Sequence, residues 1–330
     1  MKRILATAAA AVLFATSSAA DEFKPAVIFD IGGKFDKSFN EAAYNGAEMF
    51  KKESGVAYAE FEVTNESQRE QSLRKLAQRG ATIIVATGFA QAPALKTVAA
   101  EFPKVKFTII DDVVDLPNVQ SIIFKEHEGS FLVGVAAAMA SKTGKVGFVG
   151  GMDIPLIRKF ACGYVQGAKY ANAGAEVFQN MTGTTGEAWN DPTKGGELAR
   201  SQFDRGADVV YAAAGGTGLG VYQAAKDSGK LAIGVDSNQN YLHPGTMLTS
   251  MLKRVDIAVY RAFKSTQDGT WQSGLQVWGL ADDGVGWALD EHNMALVSDD
   301  MKAKVEQARK DILAGAITVH DYTSDNNCPN

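Results

Sequence analysis

The chain has 330 residues, 46% of them apolar and 22% charged, with a net charge of −5 that becomes −7 once Lys2 and Arg3 are set aside. This is the composition of a soluble globular protein, with material for roughly two domains of about 100–200 residues each. The acidic balance excludes the general basic footprint that nucleic acid or an anionic membrane surface requires.

Residues 1–20 read as a secretory signal. Lys2 and Arg3 form its charged start, Ile4 to Phe14 its apolar stretch, and Ser18-Ala19-Ala20 a small-residue cleavage site near Ala20. The apolar run is shorter than the roughly 20 residues that span a bilayer. No cysteine follows it to carry a lipid anchor. A soluble periplasmic protein starting near Asp21 is expected.

Ala26 to Phe29 is an apolar run of buried-strand length ending at Asp30, followed by Gly32-Gly33 and then Ser38-Phe39-Asn40-Glu41. Ser38 and Glu41 form a capping-box pattern that starts a helix reaching about Glu53. A capped surface helix and a ligand-binding loop both fit this stretch. Strands are predicted over 57–64, 82–86, 106–110 and 119–124, with helices over 67–79 and 91–101 between them. An alanine-rich helix over 129–141 follows, and the pattern restarts: a strand over 145–149, a Gly150-Gly151 loop, and a helix over 158–172 with Phe160 near its start. The Gly46-Ala47 and Gly167-Ala168 pairs make the two openings alike, a hint of duplication. Further strands are predicted over 177–181, 208–213, 231–235 and 247–252, with helices from Asp191 to Arg205, from Gly218 to Ser228 and over 255–267. Two short strands over 275–280 and 284–289, a helix over 301–314 and a polar, loosely held tail over 323–330 complete the chain. Such β-α alternation implies parallel sheets covered on both faces by helices.

The residues just past the strands are Asp30, Gly88-Phe89, Asp111-Asp112, Gly150-Gly151, Gly215-Gly216-Thr217-Gly218, Asp236 and Lys253. Open α/β folds bind ligands at this edge. Glycines admit a ligand to the backbone, carboxylates accept from hydroxyls, and Phe39, Phe89 and Trp189 offer flat faces. A planar heterocycle with a polyhydroxyl arm suits the set. Each residue also has a plain structural alternative: Phe39 as core, Trp189 as a loop plug, Asp30 and Asp236 as turn or cap residues, Lys253 as a solvated charge. Asp36 reads as a loop or capping residue.

No nucleophile elbow, H-E-x-x-H or phosphate loop is present, and His127, His243, His292 and His320 are scattered without metal-ligand spacing. The chain reads as a binding protein that needs neither metal nor cofactor. The two cysteines do not make a framework. Cys162 reads as a buried thiol in a small-residue helix and Cys328 as part of the tail, and the sequence does not place them together.

The segments Asp30–Asn40, Val146–Gly151, Phe160–Lys169, Ala212–Gly218, Gly234–Gln239 and Thr249–Arg254 resemble the basic membrane protein family, substrate-binding components of ABC importers similar to purine nucleoside receptors. The resemblance runs through nearly the whole mature chain in order. It implies a type I periplasmic-binding-protein fold: two Rossmann-like α/β lobes with parallel sheets, three hinge crossovers, and a ligand clamped between. The implied lobes are 21–126 with about 253–280, and 127–252 with about 281–330.

The resemblance also implies site roles. Phe39 stacks on a base, and Asn40 with Asp30 or Asp36 bonds near it. Trp189 takes the place of a second aromatic, and Gly88 and Phe89 join the site on their strand-end position alone. Gly215 and Gly216 line the sugar side, while Asp236 and Lys253 hold ribose hydroxyls. The implied protein is a monomer that carries a purine nucleoside or base to an inner-membrane ABC permease. Riboflavin is an alternative ligand, and a sensor for a signalling partner an alternative role.

Overall fold

The computed structural model describes residues 22–329. The expected secretory signal, residues 1–20, and its cleavage site near Ala20 lie outside them. The first part of the chain forms β1 (Pro25–Phe29), α1 (Phe39–Ser54), β2 (Ala59–Glu62), α2 (Gln68–Gln78), β3 (Ile83–Thr87), α3 (Ala92–Glu101), β4 (Lys106–Ile110) and β5 (Val119–Phe124). Then come α4 (Glu126–Ala140), β6 (Lys145–Met152), α5 (Pro155–Ala171), β7 (Glu176–Gly183), α6 (Pro192–Asp204), β8 (Val209–Ala213), α7 (Gly218–Asp227) and β9 (Leu231–Asp236). The chain closes with β10 (Met247–Lys253), α8 (Val255–Gln267), β11 (Gly274–Trp278), β12 (Val285–Trp287) and α9 (Asp299–Leu313).

The strands build two six-stranded sheets, ordered β11-β5-β4-β3-β1-β2 and β12-β10-β9-β8-β6-β7. Neighbours are parallel except β12, which runs antiparallel to β10. β1, β3 and β8 are apolar and buried throughout, as central strands covered on both faces must be. β2 is an edge strand and mostly exposed. Position by position the two sheets share one strand order, so the likeness between the openings at Ala26 and Lys145 extends to whole lobes.

The chain passes between the sheets three times, after β5, after β10 and between β11 and β12. The first two passages are exchanged symmetrically. α4 leaves the first sheet and packs on α5 and β10 of the second lobe, while α8 leaves the second sheet and packs on α1 of the first. Both contacts are made close by glycine. A Cβ on Gly46 would fall 2.1 Å from the Asp256 carbonyl of α8, and one on Gly167 would fall 2.0 Å from the Phe131 carbonyl of α4.

Several local expectations change. Ser38 makes no capping bond to α1. Asp36 caps instead, its carboxylate accepting the N–H groups of Ser38 (2.8 Å), Asn40 (3.0 Å) and Glu41 (3.1 Å). Glu41 reaches the N–H of Lys37 rather than that of Ser38. α5 begins at Pro155, not Arg158, because proline's fixed φ suits the first helical position. Gly150-Gly151 is not a loop: β6 runs on to Met152, with Gly150 paired to Met181 and Ala213. The glycines are needed because Met181 and Ile157 crowd Gly150 and the Trp189 ring crowds Gly151.

The cysteines are bridged, against the expectation of a buried thiol and a loose tail. Cys162 and Cys328 are joined with their Cα atoms 5.6 Å apart. The tail is brought there by Val319, buried against the core, and by a two-way bond between Gln166 and the His320 backbone (2.8 and 3.0 Å). A separation of 166 residues leaves no local trace of such a pairing.

Candidate binding site between the lobes

The strand ends of the two sheets face one another across a cleft lined from both lobes. The first lobe supplies Asp30, Ile31, Asp36, Phe39, Asn40, Gly88, Phe89 and Asp111. The second supplies Leu156, Ile157 and Phe160 from the start of α5, Trp189, Ala213 to Gly215, Val235, Asp236, and Lys253 at the end of β10. Of the residues given site roles from sequence, Gly216 alone is outside this lining; a Cβ there would meet the Trp189 carbonyl and the Asn190 side chain.

The walls are flat and apolar, and the polar groups are few and held in place. Trp189 can press against β6 because Gly151 has no side chain. Asn40 has its amide fully engaged. It accepts from the N–H of Asp30 (3.0 Å) and donates to the carbonyls of Asp30 (3.0 Å) and Gly33 (3.3 Å), fixing the turn between β1 and α1. Asp30 is paired through Oδ1 with Nη2 of Arg69 on α2 (3.0 Å). Its other oxygen lies against Gly88, whose φ of +96° and lack of Cβ admit it there. Burial pushes the Asp30 carboxyl above the usual range, and Arg69 opposes that rise.

The same cleft borders a buried charge cluster. Lys253, 2% exposed, reaches Asp111 at 2.7 Å and Glu126 at 3.0 Å. Glu126 is also paired with Lys159 at 2.6 Å, and Lys159 donates to the Phe124 carbonyl at 3.0 Å. The ammonium of Lys253 sits 5.2 Å from the ring centroids of Phe39 and Phe124 and 5.5 Å from that of Phe160. The cluster ties β4, the start of α4, α5 and the end of β10 together where the first two passages begin. It also removes the reading of Lys253 as a solvated charge.

Burial opposes ionisation throughout, and the partners outweigh it at some groups and not at others. Lys159 and Lys253 outweigh burial and hold Glu126 low, at about 2. Asp111, Glu126 and Asp236 likewise hold Lys253 above its usual range. Burial wins at Asp111, raised to about 6, and at Asp36, raised to about 7 despite three N–H donors. Asp236, with φ +63°, is raised by burial against the pull of Lys253 and Ser38. Among the described residues Asp111 Oδ1 has no hydrogen-bond partner. Sequence reasoning noticed Asp111 at its strand end without selecting it. It missed Phe160 as a site residue, which lines the cleft from the second turn of α5.

This geometry is a two-sided clamp for a small, flat, polar molecule, and comparison with known proteins gives its family. Residues 23–322 match the Bmp family model, described as ABC transporter substrate-binding protein PnrA-like. The chain belongs to the Bmp family. It is 34% identical over 321 residues to the ABC transporter nucleoside-binding protein BmpA of Lactococcus lactis, covering 90% of this chain and 89% of that one. It is 35% identical over 271 residues to basic membrane protein D of Borreliella burgdorferi, covering 79% and 78%. A solved ABC transporter solute-binding protein from Aeropyrum pernix superposes with a TM-score of 0.83 at 30% identity, over 91% of this chain and 93% of the other. The fold is thus the two-lobed, type I architecture of periplasmic binding proteins. As a Bmp-family substrate-binding component, the protein works outside the cytoplasmic membrane with a permease as its partner. No described helix is long and apolar enough to cross a membrane.

Proposed function

We propose that this Bmp-family protein is a periplasmic receptor that binds a purine nucleoside, or a related purine, between its lobes and delivers it to an inner-membrane permease. One observation carries the reading: Phe39 of one lobe and Trp189 of the other border a single cleft that Asp30, Asp111, Asp236 and Lys253 also line. Aromatic faces suit a base, at roughly 1–3 kcal/mol per stacked ring. Hydrogen bonds to charged groups suit ribose hydroxyls, at roughly 1.5–3 kcal/mol each. The name of the Lactococcus relative, a nucleoside-binding protein, points the same way. In this reading Asn40 holds the loop rather than the ligand, and Asp111 joins Asp236 at the sugar end. The three passages between the sheets act as the hinge.

The test is thermal unfolding of the mature protein, stripped of bound ligand, against adenosine, guanosine, inosine, adenine, hypoxanthine, cytidine and riboflavin. A ligand at about 100 times its Kd adds roughly 2.7 kcal/mol and raises the midpoint by a few degrees. Stabilisation by purine nucleosides above bases and cytidine is expected, and D236N should abolish that preference. A response to riboflavin alone would replace the nucleoside reading, and a response to bases alone would remove the ribose contacts.

A further inference from the structure

With Asp36 capping α1, the hydroxyl of Ser38 is free to turn across the lobe boundary. It donates to Asp236 Oδ2 at 2.6 Å and lies 3.3 Å from the Val235 carbonyl. A hydroxyl has one proton, and the short bond to a carboxylate is the stronger claim on it. Two more bonds join the same segments. Ser237 Oγ donates to the Ser38 carbonyl at 2.9 Å, and Gln239 Nε2 donates to the Lys37 carbonyl at 3.0 Å. Gln239 is itself fixed, accepting from the Val235 N–H (2.7 Å) and the Tyr222 hydroxyl (2.9 Å). All the bonds of Ser38, Ser237 and Lys37 named here run from the segment just before α1 in one lobe to the end of β9 and the turn after it in the other, so parting the lobes breaks them together.

Asp236 needs that donor. The charged groups facing it are Lys253 on β10, Glu126 at the start of α4, Asp36 before α1 and Asp111 after β4. Lys253 is the lone cation among them and already holds Asp111 and Glu126. Among the described residues Ser38 is the one group hydrogen-bonded to the Asp236 carboxylate. With the lobes apart, water would solvate that carboxylate. With the lobes together it is 8% exposed and Ser38 takes water's place.

We propose that Ser38 is a positioning residue: its hydroxyl reaches Asp236 only when the lobes meet, so that closure itself completes the carboxylate that grips the ligand. The proposal rests on the reading of Asp236 as a ligand contact.

The test compares the mature wild-type protein, S38A and S38T, using inosine and riboflavin as probes, each with a polyol arm, and adenine as a probe without one. Stopped-flow release, affinity from pH 5 to 8 and the unliganded melting midpoint are measured. S38A should release the bound polyol probe roughly 10–100-fold faster, with the unliganded midpoint little changed and S38T restoring slow release. Its affinity should also fall more steeply than wild type as pH rises. Closure without the donor raises the Asp236 carboxyl further and takes up a proton, and such uptake weakens binding at higher pH. Equal release rates in wild type and S38A, or equal impairment in S38A and S38T, would overturn the proposal. Binding of riboflavin but not inosine would sink the nucleoside reading while still reporting on Ser38. Binding of adenine alone would overturn both.

Discussion

Arg69 is a residue whose role no motif announces. It stands on α2, outside the cleft lining, and grips the Asp30 carboxylate through Nη2 and Nε. Asp30 is raised above its unfolded value, so the folded protein keeps a proton that the unfolded chain has lost, and stability falls as pH climbs through that interval. Removing Arg69 lifts the folded value further and extends the loss upward. R69M should therefore cost little near pH 4 and about 3–5 kcal/mol at neutral pH, the usual penalty for orphaning a buried charge. Melting curves from pH 4 to 8 check this; a pH-independent difference would mean that the pairing is not electrostatic. At this scale much of the site was legible. Phe39, Phe89, Asp236 and Lys253 stand at strand ends or helix starts and Trp189 in the loop between β7 and α6, and all five line the cleft. Arg69, Glu126 and Lys159 were not legible, because an ion pair between distant segments has no sequence period. Ser38 was misread because a capping box describes residue types and spacing, while Asp36 was near enough to win the N–H groups first.

Among elements, the helix contacts matter most. α4 is buried on nearly every side, with alanine and glycine where larger residues would hold neighbours away. Gly134 of α4 meets the Tyr164 carbonyl of α5, and Gly163 and Gly167 of α5 meet the carbonyls of His127 and Phe131. Such contacts leave no room for a methyl group. G167A and, on the other lobe, G46A should each cost about 1–3 kcal/mol, the range for overfilled cores. Urea unfolding measures this, and a neutral G167A would show that α4 and α5 can separate freely. The elements themselves were readable from apolar runs and turn residues. Their ends were less so: β6 continues through Gly150-Gly151 because its neighbours supply the bulk that the glycines lack.

The whole molecule is two copies of one plan, each covered in part by a helix that the other sends across. Sequence could show the repeat at its two openings but not the exchange of α4 and α8, since a helix carries no record of which sheet it joins. Nor could it show the bridge that seals the tail to α5. C328S should lower stability by about 2–5 kcal/mol, the range for losing a native disulfide. Wild-type protein should lose as much under reductant, and C328S nothing more. The bridge spans 166 residues. Within that span the chain leaves the second lobe through α8, adds β11 to the first sheet and returns through β12. The two lobes are therefore threaded on one covalent ring. A protease that cuts once anywhere between Cys162 and Cys328 opens the ring without releasing a fragment, and the damage shows only on a reducing gel.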